Sequence, residues 1–152
     1  MLPMPKKYFV SAGAAEGKTE LTAFDKALLQ AGVGNVNMLR VSSILPPDCV
    51  YDPGLVLPPG SLVPIAYGYV ISEEPGDRIA AAVGVGIKHN SFGVIMEFSG
   101  HCTKEEAEAQ VTAMVEEAFA VRGLHLDEVK VAAAEHIVEQ TGCAFACVPL
   151  WY

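Results

Sequence analysis

Residues 79–87 read Ile-Ala-Ala-Ala-Val-Gly-Val-Gly-Ile, and this run of small apolar residues indicates the class of fold. A strand that is apolar along its whole length must be covered on both faces. The small side chains allow the covering layers to pack closely. The segment therefore predicts a sheet that is buried between two other layers.

Six further segments are predicted as strands, at residues 8–12, 36–42, 63–72, 93–98, 129–138 and 143–152. Only two segments are predicted as long helices, whereas a doubly wound parallel sheet would need a crossover helix after almost every strand. The sequence therefore predicts an α+β fold, a layered α/β/β/α sandwich of mostly antiparallel sheets, in a single domain covering residues 1–152.

Both predicted helices carry signals at their ends. The first is predicted to begin at Thr22 and to end before Gly32. The second begins with a capping box formed by Thr103 and Glu106, and Gly123 follows its last turn. Its apolar residues recur at helical spacing, which predicts that the helix packs on a sheet; they are Val111, Met114, Val115, Ala118 and Phe119.

The composition of the chain narrows its class and its partners. The chain has 152 residues and 51% of them are hydrophobic, which is typical of one folded domain and excludes a disordered protein. Ten Lys and Arg against 18 Asp and Glu give a formal charge of −8. This charge has the wrong sign for binding nucleic acid or an anionic membrane, and it favours a cationic small molecule.

Nothing in the sequence predicts a membrane segment. No window approaches the roughly 20 apolar residues of a spanning helix. Residues 1–7 lack the charged and then apolar order of a signal peptide. We therefore expect a cytoplasmic protein.

The cysteines and histidines show no metal-binding or catalytic pattern. The cysteines include no Cys-x-x-Cys pair, so buried structural thiols are expected in place of a zinc or redox site. We also expect the histidines to be structural or exposed to solvent. These residues are Cys49, Cys102, Cys143, Cys147, His89, His101, His125 and His136.

Residues 12–19, Ala-Gly-Ala-Ala-Glu-Gly-Lys-Thr, approach the phosphate-binding pattern Gly-x-x-x-x-Gly-Lys-Thr. In a nucleotide-binding loop the helix starts at the Gly-Lys-Thr, so that its amides face the phosphates. Here the predicted helix starts later, at Thr22, and Glu16 would place a carboxylate among the phosphates. Nucleotide binding is therefore not expected.

Residues 44–62 form a long connection that contains five of the ten prolines. Proline cannot donate to a ladder and makes its predecessor extended, so the connection is predicted to be stiff and irregular. Loops of this length in compact domains are usually either functional or flexible linkers, and the high apolar content argues against a linker.

The pair Ser42–Ser43 lies between a predicted strand and this connection, in the segment 32–47, Gly-Val-Gly-Asn-Val-Asn-Met-Leu-Arg-Val-Ser-Ser-Ile-Leu-Pro-Pro. Four other segments accompany it: Ala-Phe-Asp-Lys-Ala-Leu-Leu at 23–29, Tyr-Gly-Tyr at 67–69, Gly-Val-Ile-Met-Glu at 93–97 and Gly-Cys-Ala-Phe-Ala at 142–146. Taken in this order, the five segments closely resemble the pyruvoyl-dependent arginine decarboxylases over nearly the whole chain.

The resemblance implies that the chain cuts itself between Ser42 and Ser43. Residues 1–42 would become an N-terminal β chain and residues 43–152 a C-terminal α chain that begins with a pyruvoyl group. Chemically, the Ser43 hydroxyl attacks the Ser42 carbonyl to give an ester, elimination leaves dehydroalanine, and hydrolysis gives the keto group. Such a step needs a preorganised turn and donors for the oxyanion.

The same resemblance implies that the enzyme converts L-arginine to agmatine and CO2 through a Schiff base on the covalent pyruvoyl group, without metal or pyridoxal phosphate. Glu97 would be the proton donor, Asp25 would bind the guanidinium group, and Asn37 would hold the oxyanion during processing. From the residues alone, other roles stay open: a solvent-facing strand residue for Glu97, a partner of the helix dipole for Asp25, and an ordinary edge-strand residue for Asn37.

The resemblance further implies a homotrimer of processed protomers with sites between subunits. Two other functions compete with arginine decarboxylation. One is a pyruvoyl-dependent decarboxylase of another amino acid, for which Asp25 would have no evident use. The other is a homologue that never cleaves and only binds a ligand or assembles.

Overall fold

The computed structural model describes residues 2–152. In chain order, the elements of this part are β1 (Lys7–Tyr8), β2 (Ser11–Glu16), α1 (Glu20–Gln30), β3 (Asn37–Arg40), β4 (Ile44–Leu45), β5 (Val50–Tyr51), β6 (Leu62–Ser72), β7 (Arg78–Ile87), β8 (Gly93–Gly100), α2 (Lys104–Val121), β9 (Glu128–Ile137) and β10 (Gly142–Trp151).

The strands form two sheets. In the first sheet β6 pairs with β3 on one side and with β10 on the other, and β10 also pairs with β2 and β1, with β5 beyond β1. The second sheet has the order β4-β8-β7-β9. The pairings β3–β6 and β1–β5 are parallel and the other ladders are antiparallel.

The two sheets face each other, and one helix covers each outer face. α1 packs on β2, β6 and β10, whereas α2 packs on β7, β8 and β9. A core of small apolar side chains fills the space between the sheets, among them Val83, Ile95 and Ala144, which are fully buried. The predicted α/β/β/α sandwich of mostly antiparallel sheets is therefore confirmed.

Strand β7 is covered on both faces, as residues 79–87 predict. Ala81 and Val83 lie in the core between the sheets, and Ala82 lies in the core under α2. A Cβ added at Gly86 would lie 2.5 Å from the Phe119 ring, so Phe119 or the whole of α2 would have to move. The glycine therefore lets α2 approach the sheet closely.

The predicted strands match the structure within two residues at their ends, except for the first. In place of one strand over residues 8–12, the chain forms β1 and β2, which pair with two successive parts of β10. The break lies opposite Pro149, which has no N–H to donate to the ladder.

Both helices begin with a threonine N-cap and a capping box, but only α2 begins where the sequence predicts. α2 begins as predicted, with Thr103 as its N-cap and Glu106 as its capping partner. The predicted start of α1 at Thr22 is wrong, because the N-cap is Thr19 and Thr22 is its capping partner in the first turn.

This correction also changes the reason for rejecting a phosphate loop. Helix α1 does follow the Gly-Lys-Thr of residues 17–19 directly. Residues 12–16, however, belong to β2 and pair with β10, so they do not form a loop around an anion. The Glu16 carboxylate accepts hydrogen bonds from the backbone N–H groups of Gln140 and Thr141, at 2.8 and 3.1 Å.

The proline-rich connection over residues 44–62 is more regular than predicted. Its first residues form β4, which pairs with β8, and its middle forms β5, which pairs with β1. Both short strands lie at positions without proline, where backbone donors are available. No helix within residues 2–152 is long and apolar enough to cross a membrane.

Candidate active site

The serine pair lies where the chain crosses from one sheet to the other. The Val41 N–H donates to the Ile65 carbonyl in the first sheet at 3.0 Å, and the Ser43 carbonyl accepts from the Ile95 N–H in the second sheet at 2.7 Å. Ser42 is therefore the single residue between two fixed points. The carbonyl carbon of Ser42 and the nitrogen of Ser43, which form the peptide bond, both lie within this short crossing.

A cavity of about 350 Å³ borders the serine pair. Its walls are mostly apolar and include the segment before β1 and the last residue of the chain; they are formed by Leu2, Pro3, Pro5, Leu39, Val41, Ser42, Ser43, Ile44, Pro46, Pro64, Leu150 and Tyr152. Ser42 is exposed and Ser43 is half-buried. The serine pair therefore borders open space, and few of the surrounding residues have polar side chains.

Glu97 lies on β8 two residues beyond Ile95, which places it about 7 Å further along the strand from the point that holds Ser43. Because alternate residues share a face, Glu97 faces the layer between the sheets as Ile95 does. Burial raises the pKa of Glu97, and the positive charge of Arg40 partly offsets this. A carboxyl group of this kind retains its proton closer to neutral pH and can serve as an acid.

Two residues were not selected from the sequence: Gly68, which faces Glu97, and Arg40, which lies at the sheet edge next to Gly68. The Arg40 guanidinium donates to the Tyr67 carbonyl at 2.8 Å and lies 4.3 Å from the centre of the Tyr67 ring. Gly68 packs directly on the Glu97 side chain. Arg40 is the only charged residue in segment 32–47, and this isolated charge is the signal that could have found it.

Asp25 lies in the second turn of α1 and is exposed. Its neighbour Phe24 packs edge-on against Tyr69 and Phe145 of the first sheet. Because α1 begins at Glu20, Asp25 is outside the first turn, where a carboxylate would meet the free amides of the helix. None of the ion pairs formed by residues 2–152 uses its carboxylate.

The structure separates Asp25 and Asn37 from the serine pair of the same chain. α1 covers the outer face of the first sheet, whereas Ser43 lies between the sheets. Asn37 begins β3 and its side chain donates to the Gly60 carbonyl at 3.2 Å. It lies five residues before Ser42, about 17 Å along an extended strand.

Three of the four histidines lie beside carboxylates. His101 contacts Asp77 at 2.9 Å and His125 lies 3.5 Å from Asp127, and both histidines are exposed. His136 contacts Glu16 at 2.5 Å. Within the described residues, no three His, Cys, Asp or Glu side chains are grouped to hold a metal ion.

The cysteines are free thiols. Cys143 and Cys147 are buried in the core under α1, whereas Cys49 and Cys102 are half-buried. Burial raises the pKa of Cys49 to about 11 and that of Cys143 to about 12, so both thiols stay protonated at neutral pH.

Comparisons with known proteins identify a family of similar sequences. The family model described as "Pyruvoyl-dependent arginine decarboxylase (PvlArgDC)" matches residues 7–151. Three curated proteins with the name pyruvoyl-dependent arginine decarboxylase are similar over nearly their whole length. The protein of Methanocaldococcus jannaschii is 51% identical, covering 98% of this chain and 92% of its own. That of Thermococcus kodakarensis is 47% identical, covering 97% and 96%, and that of Pyrococcus abyssi is 48% identical, covering 92% and 90%.

Proposed function

Because the chain belongs to the pyruvoyl-dependent arginine decarboxylase family, we propose that it converts L-arginine to agmatine and CO2 with a pyruvoyl group made from its own Ser43. The observation that carries this proposal is the position of the Ser42–Ser43 bond, at a crossing held by Ile65 on one side and Ile95 on the other. The cavity beside Ser43 leaves space for a keto group at this position.

In the proposed processing, the Ser43 hydroxyl adds to the Ser42 carbonyl, and the bond between the Ser42 carbon and the Ser43 nitrogen breaks to give an ester. Elimination then releases the Ser42 carboxylate and leaves a dehydroalanine at position 43. Addition of water to this residue releases ammonia and leaves the keto group. The two backbone anchors support this step, because they restrict Ser42 to a short crossing in which the hydroxyl and the carbonyl stay close.

In the proposed decarboxylation, the pyruvoyl group supplies a carbonyl that accepts the electrons released when CO2 leaves an amino acid. Glu97 gives a proton to the carbon that has lost CO2, which its raised pKa supports. The Asp25 carboxylate receives two charge-assisted hydrogen bonds from the substrate guanidinium. The formal charge of −8 favours the approach of this cationic substrate.

We also propose that the enzyme is a homotrimer with its sites between subunits. The separation of Asp25 from Ser43 within one chain supports this arrangement, since a second copy is then needed to bring the two residues together. Coexpression of Asp25→Ala and Ser43→Ala chains tests it. Mixed oligomers should recover activity at low arginine concentration that neither variant shows alone, and no recovery in isolated mixed trimers would contradict shared sites.

The proposed function is tested by combining a cleavage assay with a product assay. Purified protein should give two fragments that meet between residues 42 and 43, and the C-terminal fragment should be blocked to Edman chemistry and reactive toward hydroxylamine. A chain that stays intact after long incubation would favour the binding homologue.

The cleaved protein should release agmatine from L-arginine and no amine from L-citrulline, which has a neutral urea group in place of the guanidinium. Activity on another amino acid in place of arginine would favour the alternative decarboxylase.

A further inference from the structure

At the edge of the first sheet that faces Glu97, strand β6 extends beyond its neighbour β3. Strand β3 ends at Arg40, whereas β6 continues to Ser72, so no strand from residues 2–152 pairs with residues 67–72 of β6 on that side. Two side chains donate hydrogen bonds to backbone carbonyls on this open edge. Arg40 donates to the Tyr67 carbonyl at 2.8 Å, and the Ser99 hydroxyl, from the second sheet, donates to the Tyr69 carbonyl at 3.0 Å.

Gly68 lies between these two carbonyls and faces Glu97. A Cβ at Gly68 would lie 3.1 Å from the Cβ and 3.3 Å from the Cγ of Glu97, which is closer than ordinary van der Waals contact. The Glu97 side chain therefore occupies the space that any other residue at position 68 would fill. The two carbonyl contacts fix the backbone of β6 on both sides of this space.

We propose that Arg40 and Gly68 are positioning residues for Glu97. Gly68 provides the space in which the Glu97 side chain lies, and Arg40, held by the carbonyl and ring of Tyr67, places a fixed positive charge next to Gly68 at the sheet edge that borders Glu97. The proposal rests on the proposed function only in the role that it gives to Glu97.

The surroundings of Glu97 make Arg40 the charged group that acts on it. In the neighbouring strand β7 the residue opposite Glu97 is Val83, which is apolar. On β6, the rings of Tyr67 and Tyr69 pack against Phe24, on the face of the first sheet that α1 covers. On β8 itself, the next residue on the same face is Ser99, and in β3 the charged residue is Arg40. The direction of the Arg40 effect on the Glu97 pKa, downward, agrees with this geometry.

The role of Gly68 is tested with Gly68→Ala, and Gly54→Ala serves as the matched control because its added Cβ would meet nothing nearer than 3.8 Å. Both variants should cleave between residues 42 and 43. Gly68→Ala should lower the kcat of agmatine formation about 10- to 100-fold, since a displacement of about 1 Å at a reacting group has this effect. Wild-type kcat in cleaved Gly68→Ala would overturn the role of Gly68.

The role of Arg40 is tested by NMR titration of the protein labelled with ¹³C at glutamate carboxyls, with Glu97→Gln identifying the Glu97 signal. Glu97 should titrate at higher pH in Arg40→Gln than in the wild type, and Arg40→Lys should restore most of the wild-type midpoint. In cleaved protein, the alkaline limb of the kcat profile should move in the same direction. An unchanged Glu97 midpoint in Arg40→Gln would overturn the role of Arg40.

This pair of tests separates the two proposals. The NMR titration does not require that the protein decarboxylates arginine, so a shifted midpoint without agmatine formation would contradict the proposed function alone. Agmatine formation with an unshifted midpoint would contradict the Arg40 proposal alone.

Discussion

The centre of the sandwich, around Val83, and the edge at which the chain crosses from β3 to β4 are built from the same two sheets but from different kinds of residue. At the centre, Val83 is fully buried, and its strand β7 is paired on both sides, with β8 and with β9. At the edge, Ser43 and Glu97 are only half-buried, and β3 stops at Arg40 while β6 continues. The open edge gives polar groups a place between two sheets that the closed centre cannot offer.

This difference predicts that substitutions in the two regions act on different properties. At the centre, the free energy of unfolding should change and the chemistry should not, because packing is tight on every side. At the edge, catalysis or substrate binding should change with little effect on stability. Glu97→Gln at the edge and Gly86→Ala at the centre test this separation, and Asp25→Ala and Glu16→Gln change groups outside both regions; the four variants follow in order of decreasing expected effect.

The largest effect is expected for Glu97→Gln. The amide has the shape of the carboxyl group but cannot give up a proton in the same way, so kcat should fall about 10²- to 10⁴-fold. Cleavage between residues 42 and 43 and the melting temperature should stay near wild type. Steady-state kinetics and thermal unfolding measure both quantities, and a wild-type kcat in the variant would contradict the assignment of the acid.

A smaller loss is expected for Asp25→Ala. Removing the carboxylate removes charge-assisted hydrogen bonds worth about 1.5–3 kcal/mol, which corresponds to an increase in KM for arginine of about 10- to 100-fold. Glu116→Ala, which removes an exposed carboxylate from α2, is the control for the change in net charge. Equal KM values for the two variants would remove Asp25 from the binding site.

At the centre, Gly86→Ala should lower stability without changing catalysis. The added Cβ would lie 2.5 Å from the Phe119 ring and 2.6 Å from a Val115 methyl group, so α2 must move away from β7. Overpacking of this kind costs about 1–3 kcal/mol of the free energy of unfolding. Urea denaturation should show this loss while kcat at 25 °C stays at the wild-type value; a stable variant with lower kcat would break the separation of the two regions.

The smallest effect is expected for a substitution of Glu16, which lies at the end of β2 and outside both regions. Burial raises the pKa of Glu16, but hydrogen bonds from the Gln140 amide and from His136 outweigh burial and lower it from 4.5 to about 2. Because the folded pKa is the lower one, the ionised carboxylate stabilises the fold above pH 4.5, and this contribution is lost as the pH falls toward 2. Glu16→Gln should therefore cost about 1 kcal/mol at pH 7 and progressively less in acid. Denaturation at several pH values checks this, and a constant difference would contradict it.

The sequence predicts the centre of the molecule better than the edge. The all-apolar run at 79–87 leaves few alternatives to a doubly covered strand, and the Thr103–Glu106 pair marks the start of α2 correctly. The predicted start of α1 is wrong because Thr19 and Thr22 can both cap a helix. Only the three-dimensional contacts assign the N-cap to Thr19.

The site depends on contacts that no sequence pattern contains. The serine pair and Glu97 are found through the resemblance, but their proximity follows from the pairing of β4 with β8. Arg40 acts through a hydrogen bond to a backbone carbonyl and Gly68 through the absence of a side chain; in the sequence only the isolated charge of Arg40 in segment 32–47 points to either residue. The role of Asn37 in processing stays a prediction; within one chain, β3 is extended between Asn37 and the serine pair.

The central claim is that the chain cuts itself at the crossing between the two sheets, and the intact mass of the purified protein tests it most directly. The wild type should give two fragments, residues 1–42 and a C-terminal fragment beginning with a pyruvoyl group at position 43, while Ser43→Ala should give one chain of 152 residues. A wild-type protein that remains a single chain, or a Ser43→Ala protein that is cut at the same bond, would contradict it.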